Sequence, residues 1–400
     1  MIVLAGGDLV LPDRILTGGS LFVDRDRIAA FEGRERVDSR GATIVDVRDH
    51  YVVPGFIDVH VHGVQGRDTL DGAEAIAAIA ATLPRYGVTA FCPTSVACAP
   101  SALRVMLEAV RDARVSPAPG SARVLAAHLE SNFINPDYRG AQPLACLRRP
   151  IDGGSASGEP DGDFTGPDIL DVIAGHRADV AIVTLAPEMP GGLDLVATLV
   201  AAGHRVSIGH TGATYEQAND AIDAGIRHAT HLFNRMSPMA HRAPGATGAA
   251  LAREEVVAEL ICDGVHVHPA ICRVAIASKG TGGIMAITDA TAGAGLSVRS
   301  HARLGGQRIT VRDSAAFLDD GTMAGSTLTM EKAFRTIATQ FGMSIVDAAQ
   351  LCSTTPAREL GLTGFGAIAN GAVADLVVLD RGFRVARTFI GGQEVWRREL

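Results

Sequence analysis

Two histidines, His60 and His62, stand one residue apart at the end of the apolar segment VVPGFIDVHVHG, residues 52–63. Side chains of a β-strand alternate between its two faces, so both imidazoles would leave a strand on the same side. That arrangement suits two ligands of one metal ion. It suits two histidines on a polar surface equally well, because an H-x-H motif is short and common. The pair alone therefore leaves a metal site and a surface strand as alternatives.

Further histidines and carboxylates come at the ends of other apolar segments, and they are Glu130, His210, His231 and Asp289. A single residue of this kind usually does no more than satisfy a hydrogen bond. Four histidines and two carboxylates at the same end of separate strands, however, would converge on one small volume. Mixed imidazole and carboxylate ligands favour Zn²⁺, with Fe²⁺, Mn²⁺ and Co²⁺ as alternatives. The pattern predicts a catalytic divalent metal, with His60 and His62 among its ligands.

Eight segments that resemble strands would position these residues, and helical segments such as 72–87, 191–203 and 214–225 lie between them. The strand segments are GFIDVH (55–60), VTAFCP (88–93), RVLAAHLE (123–130), VAIVTLAP (180–187), RVSIGH (205–210), IRHATHL (226–232), VVAELICD (256–263) and GIMAITDA (283–290). Regular alternation of strand and helix predicts an α/β fold, a (β/α)₈ barrel of the TIM type. A doubly wound open sheet is the alternative. Chemistry in such barrels gathers at the carboxyl ends of the strands.

Two other histidines are predicted to lie away from the ligand cluster. His128 shares a strand face with Glu130, which places it deeper in the barrel or behind a ligand. His228 stands an odd number of residues from His231 and should point into the helix layer.

Short β-rich segments with turn residues between them lie at both ends of the chain. They predict a small β-sandwich-like domain formed by residues 1–53 and 355–400, around a metal-dependent catalytic barrel of residues 54–354. The segment PIDGGSASGEPDGDF, residues 150–164, is predicted to be a loop because it is rich in Gly, Ser, Pro and Asp.

Composition excludes several classes of partner. The formal net charge is −8, and no run of like charges is present, so neither nucleic acid nor a polybasic membrane anchor is expected. No apolar stretch approaches the roughly 20 residues of a membrane helix. Six scattered cysteines without a C-x-x-C, and an N-terminus without signal-peptide features, predict a cytoplasmic protein with reduced thiols.

Lysine is almost absent, which removes one kind of metal bridge. The chain has only Lys279 and Lys332, and the fourth predicted strand has none. A carboxylated lysine on that strand, as in hydantoinase-like barrel hydrolases, is therefore excluded. The bridging or central ligand is predicted to be Glu130 instead.

With these residues placed, the chain resembles the amidohydrolase superfamily and, within it, the N-acetylglucosamine-6-phosphate deacetylase family. The resemblance extends over nearly the whole length. It is carried by PGFIDVHVHG, HLE, GHTGATYEQ, HATHLFNRM, ICDGVHVHP, ITDATAGAG, MAGSTLTMEKAF and NGAVADLVVLD. The order HLFN-x-M, DG-x-H and TDA is the most specific part of this set.

The resemblance implies a role for each residue that matches the family's motifs. Glu130, His210 and His231 would hold the principal metal, His60 and His62 would allow a second ion, and Asp289 would contact the metal and act as general acid and base. Substrate contacts would come from Ala141, Gln142, Asn234, Arg235, Arg242, Asp263, His266 and Met323. The resemblance also implies a homodimer in which Arg242 reaches the phosphate of the neighbouring active site.

The chain also offers charge for an anion, since Arg235, His241 and Arg242 lie on one predicted loop. Arginine forms bidentate bonds to phosphate, although a solvated basic loop is the alternative for either arginine alone. The implied substrate is N-acetylglucosamine 6-phosphate, hydrolysed to glucosamine 6-phosphate and acetate in amino-sugar catabolism. Alternatives are a related amidohydrolase that acts on N-acetylgalactosamine 6-phosphate or an N-acyl amino acid, or an inactive metal-binding paralogue. The complete ligand set with Asp289 argues against the last.

Two departures from the family pattern bear on the substrate. The chain has HLESNF where the family usually has H-L-E-G-P, and Gln142 where the family usually has a histidine. A glutamine amide can still donate to a developing oxyanion, but it carries no positive charge.

Overall fold

The computed structural model describes residues 1–33, 41–150 and 163–399, so most of the predicted loop 150–164 lies outside the described residues. The N-terminal strands in these ranges are β1 (Ile2–Val10), β2 (Ile15–Asp24), β3 (Arg27–Glu32), β4 (Thr43–Asp46) and β5 (Tyr51–Pro54). The middle of the chain contains β6 (Phe56–Val61), β7 (Gly63–Val64), β8 (Arg67–Asp68), β9 (Val88–Ser95), β10 (Arg123–Val124), β11 (Ala127–Glu130), β12 (Val180–Leu185), β13 (Arg205–Ile208), β14 (His228–Ala229), β15 (Val257–Ile261) and β16 (Ile284–Ile287). The remaining strands are β17 (His301–Leu304), β18 (Gln307–Arg312), β19 (Ala315–Phe317), β20 (Met323–Ser326), β21 (Leu376–Leu379), β22 (Val385–Ile390) and β23 (Gln393–Arg397).

Eight parallel strands form a nearly closed barrel in the order β6, β9, β11, β12, β13, β14, β15, β16. The last strand returns to the first, since the backbone N–H of Asp289 donates to the carbonyl of His60 at 3.0 Å and Val61 bridges Ala290. The predicted barrel is therefore confirmed, and the doubly wound sheet is excluded. Strand β6 is buried along its entire length, as expected for a parallel sheet covered by helices.

Helices surround the barrel, and most of them bury an apolar face against it. They are α1 (Ala73–Thr82), α2 (Pro100–Val115), α3 (Gly166–Gly175), α4 (Gly192–Ala201), α5 (Tyr215–Asp223), α6 (Gly245–Ala252), α7 (Pro269–Lys279), α8 (Met330–Thr339), α9 (Ile345–Ala349) and α10 (Thr355–Glu359). Helix α5 illustrates how the local sequence specifies the start and the buried face of such a helix. It begins with a reciprocal cap between Thr214 and Gln217, and it buries Ala218, Ala221 and Ile222 on one face. No helix in the described ranges is long and apolar enough to span a membrane.

Six of the eight barrel strands are shorter than the segments predicted for them. The predicted strand 123–130 is interrupted between β10 and β11, and the predicted strand 226–232 contributes only two residues, β14. His231 therefore lies in a turn beyond its strand, with φ +28°. Helix and strand periodicity gives no signal for such a turn, because Leu232 and Phe233 directly after His231 continue the apolar character of the segment.

Strands from both ends of the chain form one sheet, in the order β23, β22, β21, β5, β1, β2, β3, with β4 beside β1. The pairing of β5 with β21, in which Val53 faces Val377, joins the two ends of the chain. A separate apolar core, including Leu4, Ile28 and Leu376, lies beneath this sheet. The small β domain is thus confirmed. The exact bounds 1–53, 355–400 and 54–354 stay a prediction.

An antiparallel sheet follows the last barrel strand and does not appear in the sequence prediction. Its strands β17, β18, β19 and β20 span residues 301–326. The backbone N–H of Ser326 donates to the carbonyl of Asp289 at 2.9 Å, which fixes the end of this sheet next to the predicted catalytic residue. The sheet therefore stands over the carboxyl end of the barrel.

Candidate metal centre and active site

Three predicted ligands meet at one carboxylate oxygen. Oε1 of Glu130, at the end of β11, lies 2.8 Å from His210 Nε2 and 2.7 Å from His231 Nε2. The two imidazole nitrogens are 3.1 Å apart. All three side chains are buried. Three ligand atoms within such short distances form a group that could hold one metal ion.

A second group lies beside the first. His60 Nε2 and His62 Nε2 are 3.1 Å apart, and Asp289 Oδ1 lies 3.4 and 3.3 Å from these two nitrogens. His62 Nε2 is also 3.6 Å from Glu130 Oε2, so the two groups share the Glu130 carboxylate as their neighbour. The structure thus brings together all six residues that the sequence predicts as ligands.

The charges of the site favour a bound cation. Burial would lower the pKa of His60, but the carboxylates of Glu259, Asp289 and Glu130 outweigh burial and raise this pKa to about 10. Burial would raise the pKa of Glu130 and of Asp289, yet the neighbouring histidines hold both pKa values below the ordinary range. Within the described ranges, every ion pair of Glu130 and Asp289 is with a histidine. These carboxylates stabilise positive charge at one point, so the residues fit a divalent metal.

Hydrogen bonds to the outer ring nitrogens orient two of the histidines. His210 Nδ1 lies 2.9 Å from the carbonyl of Tyr138, and His60 Nδ1 lies 2.9 Å from Glu259 Oε2. A carbonyl or carboxylate oxygen accepts, so each Nδ1 donates its hydrogen. When a metal ion binds, each ring is neutral and its Nε2 can then offer its lone pair to the centre of the site.

The two histidines predicted to lie elsewhere do so. His128 is fully buried below the ligands, with Nδ1 3.1 Å from the carbonyl of Val59 and Nε2 2.8 Å from Thr184 Oγ1. His228 faces the helix layer, where its Nε2 lies 3.3 Å from Glu359 Oε2. Both side chains therefore have structural partners.

Strained backbone is concentrated at the site. His210, His231 and Asp289 have φ values of +48°, +28° and +49°, and in the loop after His231 the φ values of Phe233 and Arg235 are +78° and +51°. Non-glycine residues rarely adopt positive φ, and where they do, the surrounding structure must hold them. The fold thus holds His210, His231 and Asp289, three of the candidate ligands, in unfavourable backbone conformations.

A cavity of about 560 Å³ opens above the ligands. Six of the predicted substrate contacts line it, namely Ala141, Gln142, Asn234, Arg235, His266 and Met323. Arg235 can lie across Gly140 because a Cβ at this glycine would come within 2.9 Å of the arginine Nε. The cavity therefore combines a polar floor with one exposed guanidinium at its side.

The other two predicted contacts do not line the cavity. Asp263 lies behind His266, where its Oδ2 is 2.6 Å from His266 Nδ1. His266 Nε2 is buried, has no hydrogen-bond partner among the described residues, and belongs to a side chain at the cavity wall. Arg242 and His241 are exposed and outside the cavity of their own chain.

The departures from the family pattern have separate structural explanations. Ser131 and Asn132, in HLESNF, are buried away from the cavity, and Asn132 Nδ2 donates to the carbonyls of Cys98 and Cys146 at 2.8 and 2.7 Å. Gln142 does line the cavity. Its Oε1 accepts from the Ala97 backbone at 2.7 Å, and its amide nitrogen donates to Glu130 Oε2.

Two buried carboxylates next to the ligands are absent from the sequence prediction. Glu259 lies in the middle of β15, and Asp58 lies two residues before His60 in β6. Asp58 Oδ2 accepts from the Thr288 hydroxyl at 2.6 Å and so connects the first barrel strand to the last, while burial raises its pKa to about 7. The available signal was a charged residue within a strand that is otherwise apolar, because buried charges need partners.

The (β/α)₈ barrel and the ligand cluster at its carboxyl end define the class of protein. The chain belongs to the amidohydrolase family, whose model matches residues 51–395. It is similar to the N-acetylglucosamine-6-phosphate deacetylase of Rattus norvegicus, with 34% identity over 99% of this chain and 94% of that protein. It is also similar to the N-acetylgalactosamine-6-phosphate deacetylase of Escherichia coli O157:H7, with 32% identity over 85% and 86% of the two chains.

A solved structure extends this similarity to the fold. The N-acetyl-D-glucosamine-6-phosphate deacetylase of Mycobacterium smegmatis, a mutant in complex with N-acetyl-D-glucosamine-6-phosphate, has a TM-score of 0.88 and 32% identity to this chain. The match covers 98% of this chain and 99% of that one. The resemblance inferred from the motifs is thus confirmed.

Proposed function

We propose that this chain is a metal-dependent N-acetylglucosamine-6-phosphate deacetylase that releases acetate and glucosamine 6-phosphate, in amino-sugar catabolism. The observation that carries the proposal is the convergence of six ligand-type residues at the floor of a cavity with an arginine and a histidine at its wall. Relatives with this activity, similar over nearly their whole length, support it.

Glu130, His210 and His231 would hold the principal ion, and His60, His62 and Asp289 would hold a second one. Zn²⁺ suits this mixture of nitrogen and oxygen ligands best, with Fe²⁺, Mn²⁺ and Co²⁺ as alternatives. A divalent ion in such a site activates water near neutral pH and polarises a carbonyl group.

Asp289 would act as general base and then as general acid. Its carboxylate would accept a proton from the attacking water as the C–O bond forms at the acetamide carbon. It would then donate that proton to the nitrogen as the C–N bond breaks, because an amide anion is too basic to leave. Acetate and a free amine are the products.

Gln142 would stabilise the oxyanion that develops on the acetamide oxygen. The amide nitrogen carries two hydrogens, and the bond to Glu130 uses one of them. The other would donate to the substrate. Ala141, Asn234 and Met323 would shape the cavity around the sugar.

Side chains at the cavity wall would bind the phosphate. Asp263 accepts from Nδ1 of His266, which orients the ring and leaves Nε2 for the substrate. Arg235 would supply positive charge. Arg242, exposed beyond its own cavity, would reach the phosphate in a neighbouring subunit, and we therefore propose a homodimer. We also propose a cytoplasmic location, since all six cysteines are free thiols.

Two other substrates are alternatives to N-acetylglucosamine 6-phosphate. N-acetylgalactosamine 6-phosphate is favoured by the similarity to the galactosamine enzyme and by Gln142, which departs from the pattern of the gluco family. An N-acyl amino acid is the third candidate, but His266 and Arg235 favour a phosphorylated compound.

Acetate release by metal-reconstituted protein tests the proposal. N-acetylglucosamine 6-phosphate should be hydrolysed with the highest kcat/KM, compared with its unphosphorylated parent and the galacto epimer. A higher kcat/KM for the epimer would assign the galactosamine activity. No release from any of the three, with metal bound, would refute the proposed function.

A further inference from the structure

Glu259 contacts both candidate metal groups from below. Its side chain is fully buried in the barrel. Oε2 lies 2.9 Å from His60 Nδ1 and 3.2 Å from the backbone nitrogen of His231. His60 belongs to one ligand group and His231 to the other. A single carboxylate oxygen therefore touches a member of each.

The contact with His60 determines which ring nitrogen carries the hydrogen. A carboxylate oxygen accepts, so Nδ1 of His60 must be the donor. In the neutral ring that a metal ion requires, the lone pair is then on Nε2, which faces His62 Nε2 at 3.1 Å and Asp289 Oδ1 at 3.4 Å. Without Glu259, the other tautomer would place a hydrogen where the ion should bind.

The contact with His231 acts on the backbone. His231 has a φ of +28°, a conformation that an L-residue adopts only when its surroundings hold it. Its N–H donates to Glu259 Oε2. This bond fixes the turn that directs the imidazole of His231 toward Glu130.

A different role for Glu259 can be tested against the same geometry. Glu259, His60 and His128 lie close enough to form a third metal group. However, His128 Nδ1 faces the carbonyl of Val59 and must donate to it, while His128 Nε2 contacts the Thr184 hydroxyl. His128 therefore has no lone pair directed at such an ion, and this group is a hydrogen-bonded support.

We propose that Glu259 is a positioning residue that fixes the tautomer of His60 and the turn at His231, and thereby couples the two metal groups. The inference rests on the metal binding of the proposed function. In this role, Glu259 acts through His60 and His231 and does not contact the substrate.

Metal affinity of Glu259→Gln, measured by competition with a chromogenic chelator for Zn²⁺, tests the inference. The amide keeps the shape and one accepting oxygen but removes the charge, so the variant should fold. Loss of an outer partner of a metal ligand commonly lowers metal affinity about 10- to 100-fold, and we expect this range. Glu359→Gln is the matched control, because it removes a carboxylate from the His228 pair in the helix layer and should leave the affinity unchanged.

Nitrogen-15 NMR of labelled histidines adds a readout that stability alone would not alter. In the loaded wild-type protein, His60 should show a hydrogen on Nδ1 that is strongly bonded to the carboxylate. Glu259→Gln should show a shifted Nδ1 signal, because an amide oxygen accepts more weakly than a carboxylate. Unchanged affinity and an unchanged Nδ1 signal in Glu259→Gln would overturn the inference, as would an equal loss of affinity in Glu359→Gln. Failure of the wild-type protein to bind metal would instead refute the proposed function.

Discussion

Nε2 of His210 and Nε2 of His231 lie 3.1 Å apart, each within 2.8 Å of the same oxygen of Glu130. The ring of His210 donates from its other nitrogen to the Tyr138 carbonyl, so the neutral ring would present a lone pair on Nε2. Accepting atoms this close repel one another unless a hydrogen or a cation lies between them. The relationship is one that a metal ion would stabilise.

Chelation should therefore abolish acetate release and lower the melting temperature. A ligand at 1,000 times its Kd stabilises a protein by about 4 kcal/mol, and removal of the metal forfeits this stabilisation. Elemental analysis during reconstitution should give one or two ions per chain, with activity restored in proportion. Persistent activity in fully metal-free protein would contradict the metal assignment.

Asp289→Asn should fold and lose nearly all turnover. The amide cannot accept a proton from water, and general acid–base catalysis contributes roughly 10²- to 10⁴-fold. Asp137→Asn is the control, because Asp137 lines the same cavity but is exposed and lies outside the candidate metal groups. Substantial residual acetate release by Asp289→Asn would refute its role.

Gln142→Ala should lower kcat on the order of 10²-fold, with a smaller change in KM, if the amide donates to the developing oxyanion. Steady-state kinetics with the phosphorylated substrate separates the two parameters. The alanine variant also removes a hydrogen bond to Glu130. Metal content is therefore measured alongside, and a fall in kcat that only follows lost metal would argue against direct stabilisation of the oxyanion.

Arg242→Ala should raise KM for the phosphorylated substrate about tenfold or more, since a charge-assisted hydrogen bond contributes roughly 1.5–3 kcal/mol. Arg104→Ala, exposed on α2, should leave KM unchanged. A mixture of Arg242→Ala with inactive Asp289→Asn gives hybrid dimers in which one active site has its own Asp289 and the partner subunit's Arg242. The KM of these hybrids should return to the wild-type value. No recovery, or a monomer in sedimentation, would contradict the shared site.

The convergence of the six ligand-type side chains could be predicted from the sequence because each lies at or just beyond the end of an apolar strand, and parallel strands of a barrel end together. The odd sequence separation of His228 and His231 also predicted correctly that the two side chains point in different directions. The turn at His231 could not be predicted in this way. Its positive φ depends on the Glu259 carboxylate, which lies on another strand.

Residues whose contacts come from other elements were the hardest to predict. Glu259 and Asp58 lie within apolar strands, and only the three-dimensional structure shows which groups each buried carboxylate contacts. The sheet 301–326 consists of short strands after the last barrel strand, with no helix period to mark them. Its place beside Asp289 comes from a backbone bond to Ser326, which no side-chain pattern encodes.

The pair formed by His228 and Glu359 should make stability depend on pH. Burial would raise the pKa of Glu359, but the hydrogen bonds from His228 and Arg358 outweigh burial and lower it. A pKa below the unfolded value of about 4.3 stabilises the fold above that pH, and the contribution is lost as pH falls through the folded pKa. The melting temperature of Glu359→Gln should thus lie below the wild-type value at pH 6 and approach it below pH 4. Chelator in both samples removes any effect of metal, and a constant difference would contradict the assignment.

The antiparallel contact between β5 and β21 has a consequence for synthesis of the chain. Residues 51–54 leave the ribosome early, whereas their partners at 376–379 emerge only after the whole barrel has been translated. During that interval the edge of β5 that will pair with β21 is open to other strands. The sheet that contains the first residues can therefore form its pairing of β5 with β21 only after all the barrel strands have been translated.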